Sequence, residues 1–194
     1  EGGIGSVYSV ATTKELVDQG KLTKPIIQII KRQYKAKNMD DSMSYSEIYD
    51  EYIVNNEERN NTIKDLINDI KSKNKAARIL ILTKSLDHGR TLEDLLGGNC
   101  EFLQGNDSIE KRYEAISRFL QTGINIEEIT HFINARGMKS EIATLQALGR
   151  ALRTHESKDR VYVYDFLDQE KYLLDHSKER EKHYKAEGHE VIKI

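Results

Sequence analysis

The chain has 194 residues, 38% of them hydrophobic and 32% charged, a size and balance that suit one domain with a full core, or one domain with an appended helical tail. No apolar run is long enough to cross a bilayer, and thirty basic against thirty-two acidic residues give a net charge of -2, so bulk attraction to nucleic acid is excluded and any phosphate contact has to be local. The single cysteine, Cys100, excludes an internal disulfide and fits a reducing, cytoplasmic setting, with a buried structural thiol as its expected role.

Taken in chain order, Glu1-Gly2-Gly3-Ile4-Gly5 has neither an initiator Met nor the regions of a signal peptide, so a fragment is expected. Val7 to Ala11 favours β structure, and Lys14 to Gln19 reads as a helix ended by Gly20 in a left-handed cap. Pro25 resets the chain into an extended stretch. From Ser46 to Asn74 the pattern is helical, with Ile63, Leu66, Ile67 and Ile70 on one face. Ile79-Leu80-Ile81-Leu82, within Arg78 to Thr83, predicts a strand covered on both faces of a parallel sheet. A helix from about Arg90 to Leu96 stops at Gly97-Gly98, and Cys100 to Leu103 reads as a short strand. Asp107 with Glu110 predicts a capped helix from Ser108 to Leu120. Thr130 to Ala135 reads as a strand, Ser140 to Arg153 as a helix, Val161 to Phe166 as a strand, and Gln169 to Glu187 as a charged helix. Strands alternating with helices imply βαβ units and an α/β fold with a parallel sheet.

The segment richest in chemistry is Leu145-Gln146-Ala147-Leu148-Gly149-Arg150-Ala151-Leu152-Arg153. Gln146, Gly149, Arg150 and Arg153 share one helical face, while Leu145, Leu148 and Leu152 form a stripe that can bury. Two guanidiniums beside a bare glycine suit a polyphosphate, because each offers a planar fork of donors to phosphate oxygens. The plain alternative is a solvated face carrying two ordinary arginines.

Gln146-x-x-Gly149-Arg150-x-x-Arg153 resembles motif VI of superfamily 2 helicases, whose arginines reach ATP held by a first RecA-like lobe. The resemblance implies Arg153 as an arginine finger, Arg150 as its γ-phosphate partner, Gln146 as the polar link between the ATP and DNA sites, and Gly149 on the nucleotide side. Thr122-Gly123-Ile124-Asn125-Ile126 resembles motif V, which implies Thr122 and Gly123 at the nucleic acid backbone and Gly123 and Asn125 at the nucleotide. Ile79 to Lys84 followed by His88-Gly89 resembles motif IV, which implies Thr83, Lys84 and His88 as nucleic-acid contacts; His88 also fits as a polar residue of a helix start. The likeness is closest to phage-type branched-DNA helicases and restriction translocases. Tyr8 to Pro25 looks like the crossing from a first lobe, and Asn56-x-x-Arg59-Asn60-x-x-Ile63 like the helix preceding motif IV. Tyr172, His176, Arg180 and Tyr184, spaced by four, look like the closing helix, for which a docked helix without a ligand is the better reading. In the family a loop and a buried strand separate the helix near Phe119 from motif V, whereas here Phe119-Leu120-Gln121 runs straight into Thr122. Either residues are missing from the chain at that point or a central strand is deleted; omission is favoured, since losing a buried strand costs more than a marginally stable domain tolerates.

The chain has no Gly-x-x-x-x-Gly-Lys-Ser/Thr phosphate loop, and Gly3-x-Gly5 lacks the third glycine of a dinucleotide site. His131, His155, His176, His183 and His189 have no partners at zinc-site spacing, so no metal site is expected and solvated histidines are. The resemblance therefore implies a RecA-like three-layer domain with a mostly parallel central sheet and a C-terminal helix. Residues 1–25 are expected to be the crossing, 26–168 the second lobe and 169–194 a helical tail. The implied activity is ATP-dependent DNA helicase or translocase in a phage-infected or bacterial cell, with ATP and Mg2+ bound mainly by the first lobe and this fragment inactive alone. The reading from another class is a non-catalytic module of helicase-like fold that binds DNA or protein.

Overall fold

Four isoleucines in eight residues make Lys24–Lys31 (β1) a strand that demands cover on both faces. The computed structural model, which describes residues 13–31, 42–98, 100–104, 106–108, 129–139 and 159–194, supplies that cover. Five strands, β1, Ile79–Leu82 (β2), His131–Asn134 (β3), Arg160–Leu167 (β4) and Glu190–Lys193 (β5), form one sheet in the order β2-β3-β4-β1-β5, every neighbour parallel. Parallel neighbours require long crossovers. Helices provide them: Glu57–Lys73 (α3) lies between β1 and β2, Leu86–Leu96 (α4) after β2, and Leu173–Ala186 (α5) between β4 and β5. Two shorter helices, Thr13–Asp18 (α1) and Tyr45–Tyr49 (α2), precede β1 and α3 respectively. The expected α/β fold with helices on both faces is the one observed.

Alternation along the strands builds the two layers. Val161 and Val163 of β4, Phe132 of β3 and Ile27 and Ile29 of β1 form one core, closed by Tyr184 of α5. Tyr164 and Phe166 of β4 with Ile133 of β3 point the other way, against Ile63 and Ile70 of α3 and Leu92 of α4. Ile63 and Ile70, two turns apart, are the stripe expected from the sequence. A third cluster, Ile48, Tyr49, Tyr52, Ile53, Val54 and Leu173, joins the segment before α3 to the start of α5.

Several expectations are corrected. The long helix from Ser46 to Asn74 is broken: α2 passes into a π-helical turn, Asp50–Val54, and stops, because Asn56 takes an extended backbone and its side chain accepts the Arg59 N–H to begin α3 anew. Glu57 and Glu58 in the first turn complement the helix dipole. The expected strand at Ile79 to Leu82 appears as β2, with Leu80 and Leu82 packed against one core, Ile79 and Ile81 against the other, and each of the four half-buried. Cys100 to Leu103 is not a strand, since its backbone finds side chains instead: the Phe102 N–H donates to Glu93 of α4. Asp107 likewise accepts from the Gln104 N–H at 2.8 Å. Residues 169–194 are more than a helical tail, because after α5 the chain turns at Gly188 and adds β5 beside β1. The expected helix at Lys14 to Gln19 appears as α1, with Gly20 at φ 69. The expected strand near Val7 and the helices over 108–120 and 140–153 fall largely or wholly outside the described residues.

Phe132 sits at the middle of the sheet with none of its surface exposed. Phe132→Ala should cost about 3–5 kcal/mol, the range for emptying an aromatic site in a core. The urea midpoint of the purified variant measures this.

Candidate functional site

In an open parallel sheet, ligands meet the crevice beyond the carboxyl ends of the strands. Here those ends are tied by two buried ion pairs. Arg59 of α3 and Asp168, just past β4, are both fully buried, with Nε to Oδ1 at 2.9 Å. The same guanidinium donates from Nη1 to the Ala135 carbonyl beyond β3 and lies 4.5 Å from the centre of the Phe166 ring. Arg180 of α5 reaches Asp165 of β4 with Nη2 to Oδ1 at 2.9 Å, and donates from Nη1 to the Met138 carbonyl and from Nη2 to the Phe166 carbonyl. Asp165 also accepts from the Tyr184 hydroxyl at 2.8 Å, Asn134 Nδ2 at 3.2 Å and the Phe166 N–H at 2.7 Å. Arg136 continues the chain by donating from Nε to Asn134 Oδ1. Burial works against the Arg180 charge, but the Asp165 carboxylate outweighs it and holds the guanidinium firmly protonated. Burial first, and Asp165 second, keep the Tyr184 phenol un-ionised.

The residues expected after β2 separate. Thr83 is half-buried directly beyond the strand. Lys84 is exposed, and its ammonium sits 4.7 Å from the ring centre of Tyr49 and 5.2 Å from that of Tyr45. Ser85 caps α4 by accepting the His88 N–H. His88, expected at nucleic acid, is fully buried, so as placed it presents no surface to a strand. Its Nε2 lies 3.0 Å from Asn60 Oδ1, and Asn60 Nδ2 donates to the Val54 carbonyl, so the amide oxygen faces the ring and Nε2 carries the proton. The alternative reading as a helix-start residue describes its backbone; the side chain locks α3 to α4. Thr122, Gly123, Asn125, Gln146, Gly149, Arg150 and Arg153 lie outside the described residues.

Two further histidines depart from the solvated reading. His131 pairs with Tyr162 across β3 and β4 and stacks on its ring at 5.3 Å, while His189 is buried after α5. Among the described residues no three His, Cys, Asp or Glu side chains converge as a metal site, and no helix is long and apolar enough to cross a membrane.

Sequence reasoning did not single out Asp165, Asp168 or Tyr45. Their signal was faint: a carboxylate inside an apolar strand, Val161 to Phe166, has to be paired. Arg180 and Tyr184 were visible as a four-residue spacing, and the structure docks that face against the sheet.

Burial, followed by the nearby Arg59 charge, lowers the His88 pKa to about 3, and burial, followed by Lys71, lowers that of His131 to about 4. The unfolded chain binds these protons near pH 6.5, whereas the folded chain refuses them until lower pH. Stability attached to the neutral rings is complete above about pH 6.5 and is lost as pH falls toward about 3, at up to about 1.4 kcal/mol per pH unit for each ring. Urea midpoints across pH 7 to 4 should fall more steeply in the parent than in His88→Gln. Parallel curves would mean that the ring titrates freely in the folded protein.

No protein-family profile matches the chain. In sequence it is similar to the ATP-dependent DNA helicase uvsW of Enterobacteria phage T4, 26% identical over 192 aligned residues that cover 86% of this chain and 36% of that one. The fold is similar to that in the crystal structure of T4 UvsW, with a TM-score of 0.65 and 24% identity, covering 89% of this chain and 42% of the other. An XPD helicase structure matches with a TM-score of 0.50 and 14% identity, covering 93% of this chain and 37% of the other. The chain thus spans about a third of the length of the curated relative it matches.

Proposed function

From a chain that sequence similarity and fold together support as a C-terminal RecA-like lobe of superfamily 2 helicase type, we propose the second motor lobe of an ATP-dependent DNA helicase or translocase. The observation that carries this reading is the similarity to a DNA helicase along 86% of the chain, combined with a sheet whose described strands are all parallel. In this reading Arg153 is the arginine finger and Arg150 its partner on the γ-phosphate. Gln146, Gly149, Gly123 and Asn125 line the nucleotide side, and Thr83, Lys84, Thr122 and Gly123 face DNA. His88, expected beside them, is buried and is not counted among those contacts in this reading.

ATP and Mg2+ belong mainly to a first lobe. The strand-end carboxylates Asp165 and Asp168 are each engaged by an arginine, so they do not make a metal site in this lobe. When bound, the nucleotide supplies the phosphoryl group whose transfer drives movement. The chain's own contribution is to deliver guanidinium charge where negative charge spreads in the transition state, and to grip the nucleic acid backbone. The paired ions beneath β3 and β4 suit such a task, since positioning a distant charge needs a stiff mount.

Joined to a first lobe that carries a phosphate loop, the chain should support DNA-stimulated ATP hydrolysis, and Arg153→Ala should reduce turnover by about a thousandfold or more. Steady-state phosphate release measures this. Turnover near the parent level would remove Arg153 from the finger role.

A further inference from the structure

Outside the ion pairs, the same edge of the molecule carries an aromatic surface that none of the expected roles uses. Tyr45, at the start of α2, is its centre. Its ring lies 6.2 Å from Tyr49, 6.3 Å edge-on from Tyr172 and 5.6 Å from His176. Lys84, beyond β2, caps Tyr45 and Tyr49, and the Lys171 ammonium stands 5.3 Å from the centre of the Tyr172 ring. An open groove of about 450 Å³ runs along it, lined by Lys139, Tyr172, Asp175, His176, Lys178 and Glu179. Three separate stretches of chain, those following β2, β3 and β4, thus bring cations to one aromatic cluster.

The backbone at Tyr172 is the second observation. Its φ of 59 and ψ of -46 make it the only non-glycine residue with positive φ among the described residues. The Leu173 N–H donates to the Lys171 carbonyl at 2.6 Å, closing a γ-turn around Tyr172 in its rare, strained sense. A glycine would suit the turn better, yet the position holds a tyrosine that is 41% exposed. Strain of this kind persists where surrounding structure enforces it, and it gathers at binding sites. The ring lies outside the core: it leaves much of its surface in water and stands beside the buried Leu173.

We infer that Tyr45, Tyr172 and His176, with Lys84, Lys139 and Lys171, form a stacking platform for an unpaired base of single-stranded DNA. The inference deepens the DNA reading above and rests on it. Every base offers a π-face, so stacking tolerates any sequence, and the Lys84 and Lys171 ammoniums, which lie over the rings, swing aside on flexible stems to meet the flanking phosphates when a base arrives. A net charge of -2 makes such local placement necessary. Burial leads the effects that lower the His176 pKa, so its ring is a neutral surface at pH 7 and the lysines supply the positive charge. Asp175 and Glu179 at the groove wall repel a backbone there and leave the Lys84 side as its path.

The test uses the 194-residue chain and a fluorescent oligo-dT strand carrying one 2-aminopurine, read by anisotropy and by quenching of that base. The parent should bind and quench. Tyr172→Gly should bind about five- to a hundredfold more weakly, the range for removing one stacking partner, while its urea midpoint stays level or rises because the strained turn is relieved. Tyr172→Phe should bind within about twofold of the parent. Lys84→Gln should weaken binding and reduce the slope of log affinity against log salt by about one. Lys75→Gln, an exposed lysine before β2 at the opposite end of the sheet, should change neither. Undiminished binding by Tyr172→Gly, binding without quenching, or no binding by the parent overturns the platform. If Arg153-dependent ATP hydrolysis in the joined protein survives any of these results, the platform alone falls; if that activity is also absent, the motor reading falls with it.

Discussion

Asp165 is the charge on which the carboxyl end of this sheet depends. It sits in the middle one of the five described strands, 2% exposed, where an unpaired carboxylate would be strongly unfavourable. Donors from four residues converge on it: Nε and Nη2 of Arg180 and the Tyr184 hydroxyl on α5, Asn134 on β3 and the backbone at Phe166. Removing any one strands buried polarity, so β3, β4 and α5 are held in a single arrangement. Arg59 does the same for α3 through Asp168 and the Ala135 carbonyl. Such pairs add little net stability over an apolar core of equal volume, and their value is in geometry.

A stiff inner layer explains how the outer layer can carry unfavourable features. Tyr172 occupies a strained turn between a strand tied by Asp165 and Asp168 and a helix tied by Arg180. Lys84 leaves β2 one residue before the Ser85 cap that starts α4, so its stem is anchored at both ends. Binding groups on short loops over a rigid scaffold lose little freedom when a ligand arrives. The π-helical turn belongs to this design, because it brings Tyr49 under Lys84 and Ile53 and Val54 into the cluster that receives Leu173. Gly137 passes so close to Ile53 that a Cβ there would lie 2.7 Å from its Cδ1, so the loop after β3 is pressed onto the same turn.

Much of the architecture was legible in local pattern. The run Ile79 to Leu82, the alternation at Val161 to Phe166 and the stripe Ile63, Leu66, Ile67, Ile70 each state a period, and period dictates helix or strand. Strand alternating with helix then dictates a parallel sheet, because parallel neighbours cannot be joined by tight turns. The family resemblance of Gln146 to Arg153 and of Thr122 to Ile126 is likewise a property of spacing along the chain, and needs no coordinates to be seen.

What local pattern could not reach were the partners. His88 and Lys84 stand four residues apart on one polar stretch, and nothing nearby says that one is sealed against Asn60 while the other lies over two tyrosines. β5 escaped notice because four residues pair only once β1 is in place beside them. The charged spacing of α5 told that Arg180 and Tyr184 share a side, but only the folded sheet supplies Asp165 to meet them. Periodicity is written in neighbours along the chain and so survives in the sequence. The Arg59–Asp168 ion pair and the gathering of Tyr45 with Tyr172 join residues more than a hundred positions apart, and they exist only when tertiary packing brings those positions together.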